Sequence, residues 1–140
     1  MQRVAVMMVV GALSVVACGG DDDGGGDSAA VTPADVDTCL TDAGFEVTRE
    51  ADMSDAQVLN DEMKELLGLD EVLTFDRVDG FGLGTVQFFL DGDAAQEGLE
   101  GVESIRTDEV EIGRVGLAVY DYLGDDPAAA VETVEGCLEG

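Results

Sequence analysis

The chain has 140 residues, which is room for one domain, and 32 acidic against six basic residues give a net charge of −26. So few cations cannot neutralise a phosphate backbone, which excludes nucleic-acid binding, and anionic lipid headgroups would repel the domain. Histidine is absent, which removes the usual general base, the usual catalytic triad and most zinc sites.

The amino terminus has the pattern of a secretory signal. Arg3 precedes an apolar run over residues 4–17, which is shorter than the roughly 20 residues of a membrane-spanning helix. The run ends in Val15-Val16-Ala17-Cys18, which resembles the lipobox of bacterial lipoproteins. The resemblance implies that residues 1–17 are removed as a signal peptide and that Cys18 receives a lipid. The mature protein would then be anchored to the cell membrane through Cys18, facing outside the cytoplasm.

The residues after Cys18 are rich in glycine and aspartate, with no apolar side chain before Ala29. Such a segment cannot offset the entropy of ordering by burial. We therefore expect residues 18–31 to form a flexible tether, and residues 32–140 to form a single folded domain.

Two further cysteines remain if Cys18 carries lipid. Cys39 and Cys137 are then an even pair in an oxidising compartment, and they lack the Cys-x-x-Cys spacing of redox sites. Two thiolates without histidine are also a poor metal site. The sequence predicts a structural disulfide between them.

Helix and strand signals alternate from Thr32 onward. Thr32-Pro33 begins a helix that Gly44 ends, and Phe45–Thr48 alternates between apolar and polar residues as a strand does. Ser54-Asp55-Ala56-Gln57 has the form of a capping box and predicts a second helix ending at Gly68. The predicted buried face of this helix consists of Leu59, Met63, Leu66 and Leu67.

The second half of the domain contains a hairpin, a helix, two more extended segments and a last helix. The hairpin turns at a run of glycines, and the later pair of extended segments is centred on Gly113. These elements are Glu71–Val78, Gly84–Asp91, a helix from Asp93 to Ile105, Glu109–Ile112, Val115–Leu123 and a helix from Asp126-Pro127.

Without the outer helices, this order is strand–helix–strand–strand–helix–strand. It predicts an α+β fold, a small two-layer sandwich with extra N- and C-terminal helices. The order also matches the ferredoxin-like βαββαβ arrangement.

No motif for a metal or cofactor is complete. Asp91-Gly92-Asp93 begins like a calcium loop, but Ala95 stands where an oxygen ligand belongs. Gly80-Phe81-Gly82-Leu83-Gly84 lacks the third glycine of a dinucleotide loop, which would fall at Thr85. We predict no catalytic residues, no cofactor and no bound metal.

The sequence therefore favours a monomeric, non-catalytic envelope module that binds an envelope protein or a small ligand. The negative field of the domain favours a basic partner surface. Phe81, Tyr120 and Tyr122 are predicted to form an exposed interaction face, with core packing as the alternative. Two other functions stay open: calcium binding by acidic loops such as Asp121–Asp126, and a small hydrolase with two carboxyl groups in a pocket.

Overall fold

The computed structural model describes residues 31–55, 58–105 and 107–140. The predicted signal peptide, Cys18 and all but the last residue of the predicted tether lie outside the described residues. A short 3-10 helix at Glu50–Asp52 follows the first strand. The other elements are α1 (Pro33–Asp42), β1 (Phe45–Arg49), α2 (Asp61–Leu67), β2 (Leu69–Arg77), β3 (Gly82–Phe89), α3 (Gly92–Ser104), β4 (Glu111–Val115), β5 (Ala118–Gly124) and α4 (Pro127–Glu139).

The five strands form one sheet in the order β1-β2-β3-β5-β4, and all four pairings are antiparallel. The predicted α+β class is confirmed. The ferredoxin-like order is wrong, because its first two strands should be parallel and separated by another strand, whereas β1 and β2 are antiparallel neighbours. The second half does form a split βαβ unit, since α3 joins β3 to β4 and both strands pair antiparallel with β5, which lies between them.

The starts of α1 and of the first hairpin agree with the sequence. The Thr32 hydroxyl accepts a hydrogen bond from the backbone N–H of Asp35, and the Asp35 carboxylate accepts one from the backbone N–H of Thr32, both at 3.1 Å. Gly44 follows α1 with φ +100°, and Gly80 lies in the β2–β3 turn with φ +97°. Both positions favour glycine because an L side chain is strained at positive φ.

Two local predictions are corrected. The second helix begins after Asn60, whose side chain accepts a backbone hydrogen bond at 2.8 Å, and not after Ser54. The last hairpin turns at Gly116, with φ +57°, and not at Gly113. Gly113 lies within β4 under the ring of Tyr120, where an added Cβ would overlap the phenol.

The main core lies between the sheet and the pair of helices α1 and α4, on what we call the inner face. Side chains alternate along a strand, so the even-numbered residues of β3 and β5 point to this face. The sheet and this helix pair form the predicted two-layer sandwich. Its largest fully buried side chains are Val36, Leu40, Leu73, Phe75, Val86, Tyr122 and Val134.

The opposite face of the sheet, which we call the outer face, carries a smaller core. Ala95 of α3 is fully buried there against Leu69, Phe89 and Val119. These contacts use the odd-numbered residues at one end of β3 and β5. The other end of the outer face is left without a covering helix in the described part of the chain.

The predicted disulfide is present. Cys39 of α1 and Cys137 of α4 are joined with an S–S distance of 2.03 Å and Cα atoms 5.7 Å apart. The bond links residues that are 98 positions apart in the sequence. It therefore ties together the two helices that cover the inner face.

Replacement of both cysteines, Cys39→Ala with Cys137→Ala, is expected to lower the free energy of unfolding by about 2–5 kcal/mol, because the unfolded chain loses a long closed loop. Urea denaturation of the purified protein measures this. Reduction of the wild type should give a similar loss, and an unchanged midpoint in both would contradict a structural role.

Candidate functional site

The uncovered end of the outer face forms a groove of about 540 Å³, which we call the sheet groove. Its floor comes from β2, β3 and β5, and the C-terminal part of α3 forms one wall through Val102 and Ile105. The groove therefore has apolar walls around a floor that includes polar groups. The floor and the far wall include Thr74, Asp76, Leu83, Thr85, Ile112 and Asp121.

A row of polar side chains crosses the floor of the sheet groove. Thr74 pairs with Thr85, and Thr85 pairs with Asp121, so the three residues lie side by side on neighbouring strands. Asp121 stands in the middle of β5, where its neighbours Tyr120 and Tyr122 point to the inner face. The alternation of the strand thus directs the carboxylate into the groove.

The carboxyl group of Asp121 is partly removed from water. Burial raises its pKa, and hydrogen bonding from the backbone and hydroxyl of Thr85 offsets only part of that effect. No salt bridge joins Asp121 to a basic residue within the described ranges. When ionised, the Asp121 carboxylate is therefore a negative charge in the sheet groove without an ion-pair partner among the described residues.

A second groove of about 340 Å³ lies between α2 and α3, and we call it the helix groove. α2 contains no buried residue, so the leucines predicted as its buried face instead line this groove. That prediction is corrected, because helical spacing shows that a face is apolar but not what covers it. The helix groove includes Leu59, Leu66, Leu67, Phe89, Gly101 and Ile105.

The position of α2 is fixed by polar contacts. The ammonium of Lys64 donates to a carboxylate oxygen of Glu50 at 2.5 Å, in an ion pair that is mostly shielded from solvent. The other carboxylate oxygen of Glu50 accepts from the backbone N–H of Val72 at 3.1 Å. Glu50 thus holds α2 against β2 while the leucines of α2 remain exposed.

Two glycines of α3 line the helix groove for different reasons. An added Cβ at Gly98 would overlap the ring of Phe89, so glycine is needed there for the helix to pack on the sheet. An added Cβ at Gly101 would meet no atom within 4 Å. Gly101 therefore leaves space in the groove that the described fold does not use.

The two grooves meet at Val102 and Ile105, which line both. We call the combined surface the open face. Ile105 is 80% exposed and Leu66 is 79% exposed, although both are large apolar residues. Exposed apolar side chains grouped in this way on a small domain typically mark a binding site.

The aromatic face predicted from the sequence does not form. Tyr120 and Tyr122 are buried in the main core, whereas Phe81 is 54% exposed in the β2–β3 turn. The Tyr120 hydroxyl donates to the Glu135 carboxylate at 2.8 Å, and burial together with this bond raises its pKa. The core alternative is therefore confirmed for both tyrosines, and the interaction face is wrong for them.

The acidic segment Asp121–Asp126 does not converge on one point. The Asp125 carboxylate accepts from the backbone N–H of Phe81 at 3.0 Å, and Asp126 lies 3.9 Å from the guanidinium of Arg77. Asp121 instead faces the sheet groove. Within residues 31–55, 58–105 and 107–140, no group of three or more acidic or cysteine side chains is placed to hold a metal ion.

Sequence reasoning missed Thr85 and Ile105 as site residues, and it placed Asp121 in an acidic loop and not in a groove. The alternation of β5 turns Asp121 away from Tyr120 and Tyr122, but only the structure shows that these tyrosines are buried. Leu66 and Ile105 carried no such signal, because their spacing equally fits a buried face.

No protein-family model, no curated protein and no solved structure matches this chain. In the described part of the chain, no helix has the length and hydropathy needed to cross a bilayer.

Substitution Asp121→Asn is expected to raise the melting temperature at neutral pH. Because burial raises the pKa of Asp121 in the folded state, the folded protein binds the proton more tightly than the unfolded chain. Protonation of Asp121 therefore stabilises the folded state. This contribution to stability is fully present below the pKa of Asp121 in the unfolded chain, and it is lost as pH rises through the pKa in the folded state.

The gain from Asp121→Asn should therefore be largest at neutral pH and should shrink as pH falls below the ordinary carboxyl range. Differential scanning calorimetry across pH measures it. Glu132→Gln, at an exposed site on α4, is the matched control and should show a smaller change. A wild type more stable than Asp121→Asn at neutral pH would contradict the assignment.

Proposed function

We propose that the chain is a lipid-anchored extracytoplasmic protein and that its α+β domain is a non-catalytic module that binds a partner protein through the open face. The observation that carries this proposal is the exposed apolar surface of the helix groove, which continues through Val102 and Ile105 into the apolar wall of the sheet groove. A tethered anchor would hold such a surface near its partner at high effective concentration.

The exposed apolar side chains favour a binding role over a purely structural one. Leu66 and Leu67 are held in the exposed position by the cap of α2 and by the Lys64–Glu50 ion pair, so their exposure follows from the fold itself. Apolar anchors surrounded by polar residues are the usual composition of a protein-binding surface.

The hydrolase alternative is less well supported by the geometry. The sheet groove contains two carboxyl groups, Asp76 on β2 and Asp121 on β5, with β3 between them. Two interstrand spacings separate these residues by about 10 Å across the strands alone. A glycosidase pair needs roughly 5–9.5 Å between its carboxyl groups, so a catalytic dyad is not favoured here.

Lipidation at Cys18 predicts that the mature protein begins at this residue and carries a diacylglycerol. Intact-mass measurement of protein extracted from its own membrane, after metabolic labelling with a fatty acid, tests this. Cys18→Ser should lose the label and the anchoring, whereas Cys39→Ser should keep both. Recovery of the uncut chain in the cytosol would contradict the proposal.

Binding through the open face predicts site-specific crosslinking in the membrane. A photoreactive amino acid at position 105 should give a covalent adduct with another protein, whereas one at position 132 on α4 should not. Gly101→Leu should abolish the adduct, because the leucine fills empty space in the helix groove.

Gly136→Leu is the matched control for the crosslinking experiment. An added Cβ at this α4 position also meets no atom within 4 Å, and replacing glycine in a helix favours folding by up to about 1 kcal/mol at either site. An adduct that survives Gly101→Leu, or that forms equally at position 132, would contradict binding at the open face.

A further inference from the structure

We propose that the occupant of the open face is a basic amphipathic helix of a partner protein. Its apolar side chains would fill the helix groove, and one lysine or arginine would reach Asp121 in the sheet groove. This inference rests on the proposed function and specifies the chemistry of the partner.

The linings of the two grooves contain carboxylates and, in the described part of the chain, no basic residue. Glu97 lines the helix groove, and Asp76 and Asp121 line the sheet groove. Apolar walls with carboxylates among them are complementary to an apolar stripe flanked by lysine and arginine. The charge pattern therefore selects a basic amphipathic segment over an acidic or a neutral one.

None of the described basic residues lines either groove, and each has other contacts. Arg49 pairs with Glu71 at 2.7 Å, and Lys64 pairs with Glu50. The guanidinium of Arg114 donates to the carbonyl of Gly116 and to the side chain of Gln96. Arg77 contacts backbone carbonyls at Asp79 and Asp125 and lies near Asp126, on the β2–β3 turn side.

The sheet groove adds a specific position for a cation. Asp121 has neutral neighbours in its cross-strand row, Thr85 and Thr74, and its carboxylate is partly shielded from water. A charge in such a place interacts with an opposite charge more strongly than a fully solvated charge does. Since Val102 and Ile105 line both grooves, a single helix can occupy one groove and reach the other.

Other occupants fit the charge pattern less well. A second copy of this chain would bring two strongly negative domains together, because each chain carries a net charge of −26. An anionic lipid would meet the same repulsion. A free cationic amphiphile combines a positive charge with an apolar chain, as the proposed helix does. Separate titrations of the amphiphile and of the peptide distinguish these two occupants.

The test uses the full lipidated protein in phosphatidylcholine vesicles and three fluorescent peptides of equal length. The first has leucines at helical spacing flanked by lysines, the second has glutamates in place of the lysines, and the third is a scrambled form of the first. Fluorescence anisotropy gives each dissociation constant, with empty vesicles as the background. Dodecylammonium chloride is titrated separately by calorimetry.

We expect saturable binding of the first peptide alone. Gly101→Leu and Asp121→Asn should each weaken it by about tenfold or more, consistent with the loss of an apolar pocket or of a charge-assisted contact. Gly136→Leu and Glu132→Gln should leave it unchanged. Circular dichroism should show all four variants folded.

Four results would overturn the inference. The first is that the acidic or the scrambled peptide binds as tightly as the first peptide, and the second is that the Asp121→Asn variant binds the first peptide as tightly as the wild type. The third is saturable binding of dodecylammonium without binding of the first peptide. The fourth is a dimer of this protein that Gly101→Leu dissociates. If the crosslink at position 105 is still lost in Gly101→Leu, the proposed function stands and only the partner chemistry is wrong.

Discussion

The structure depends on the way two helices close one face of the sheet. α1 and α4 cover the inner face, and the Cys39–Cys137 disulfide joins them across it. Each large side chain buried there contributes about 1.5–3 kcal/mol, and Tyr122, Phe75 and Leu73 are completely buried. The main core is therefore complete without the far end of the outer face, which leaves that surface available for binding.

The open face also explains residues that the main core does not need. None of these features stabilises the free domain, and some of them lower its stability. They are the exposed side chains of Leu66 and Ile105, the empty space at Gly101 and the partly buried carboxylate of Asp121. Binding surfaces commonly retain such features, because residues that serve recognition are not optimised for the stability of the free protein. Their placement on one continuous surface gives them a common explanation.

Local signals in the sequence predicted the local parts of the fold. Thr32 caps α1 as predicted, Gly80 lies in the predicted hairpin turn, and the two cysteines of the domain pair as their number indicates. The strand order could not be predicted in the same way, because pairing joins residues far apart in the sequence. Nothing in the local sequence shows that β2 lies directly beside β1, or that β5 lies between the two strands that α3 joins.

The same limit applies to the candidate site. The leucines of α2 have the spacing of a buried stripe, and only the tertiary structure shows that no described element covers them. The tyrosines of β5 were misplaced for the opposite reason, since scarce aromatics in an acidic chain are equally consistent with a surface or a core. The direction of Asp121 follows from the burial of Tyr120 and Tyr122, so the sequence could not assign it while the position of the tyrosines was open.

Hydrogen–deuterium exchange of the lipidated protein tests most directly whether the open face is the binding surface. The exchange rates are compared between native membrane vesicles and neutral vesicles that contain only this protein. The account predicts slower exchange in native membranes for the amides of α2 and α3, with α1 and α4 unchanged. Protection confined to α1 and α4, or no difference between the two preparations, would contradict it.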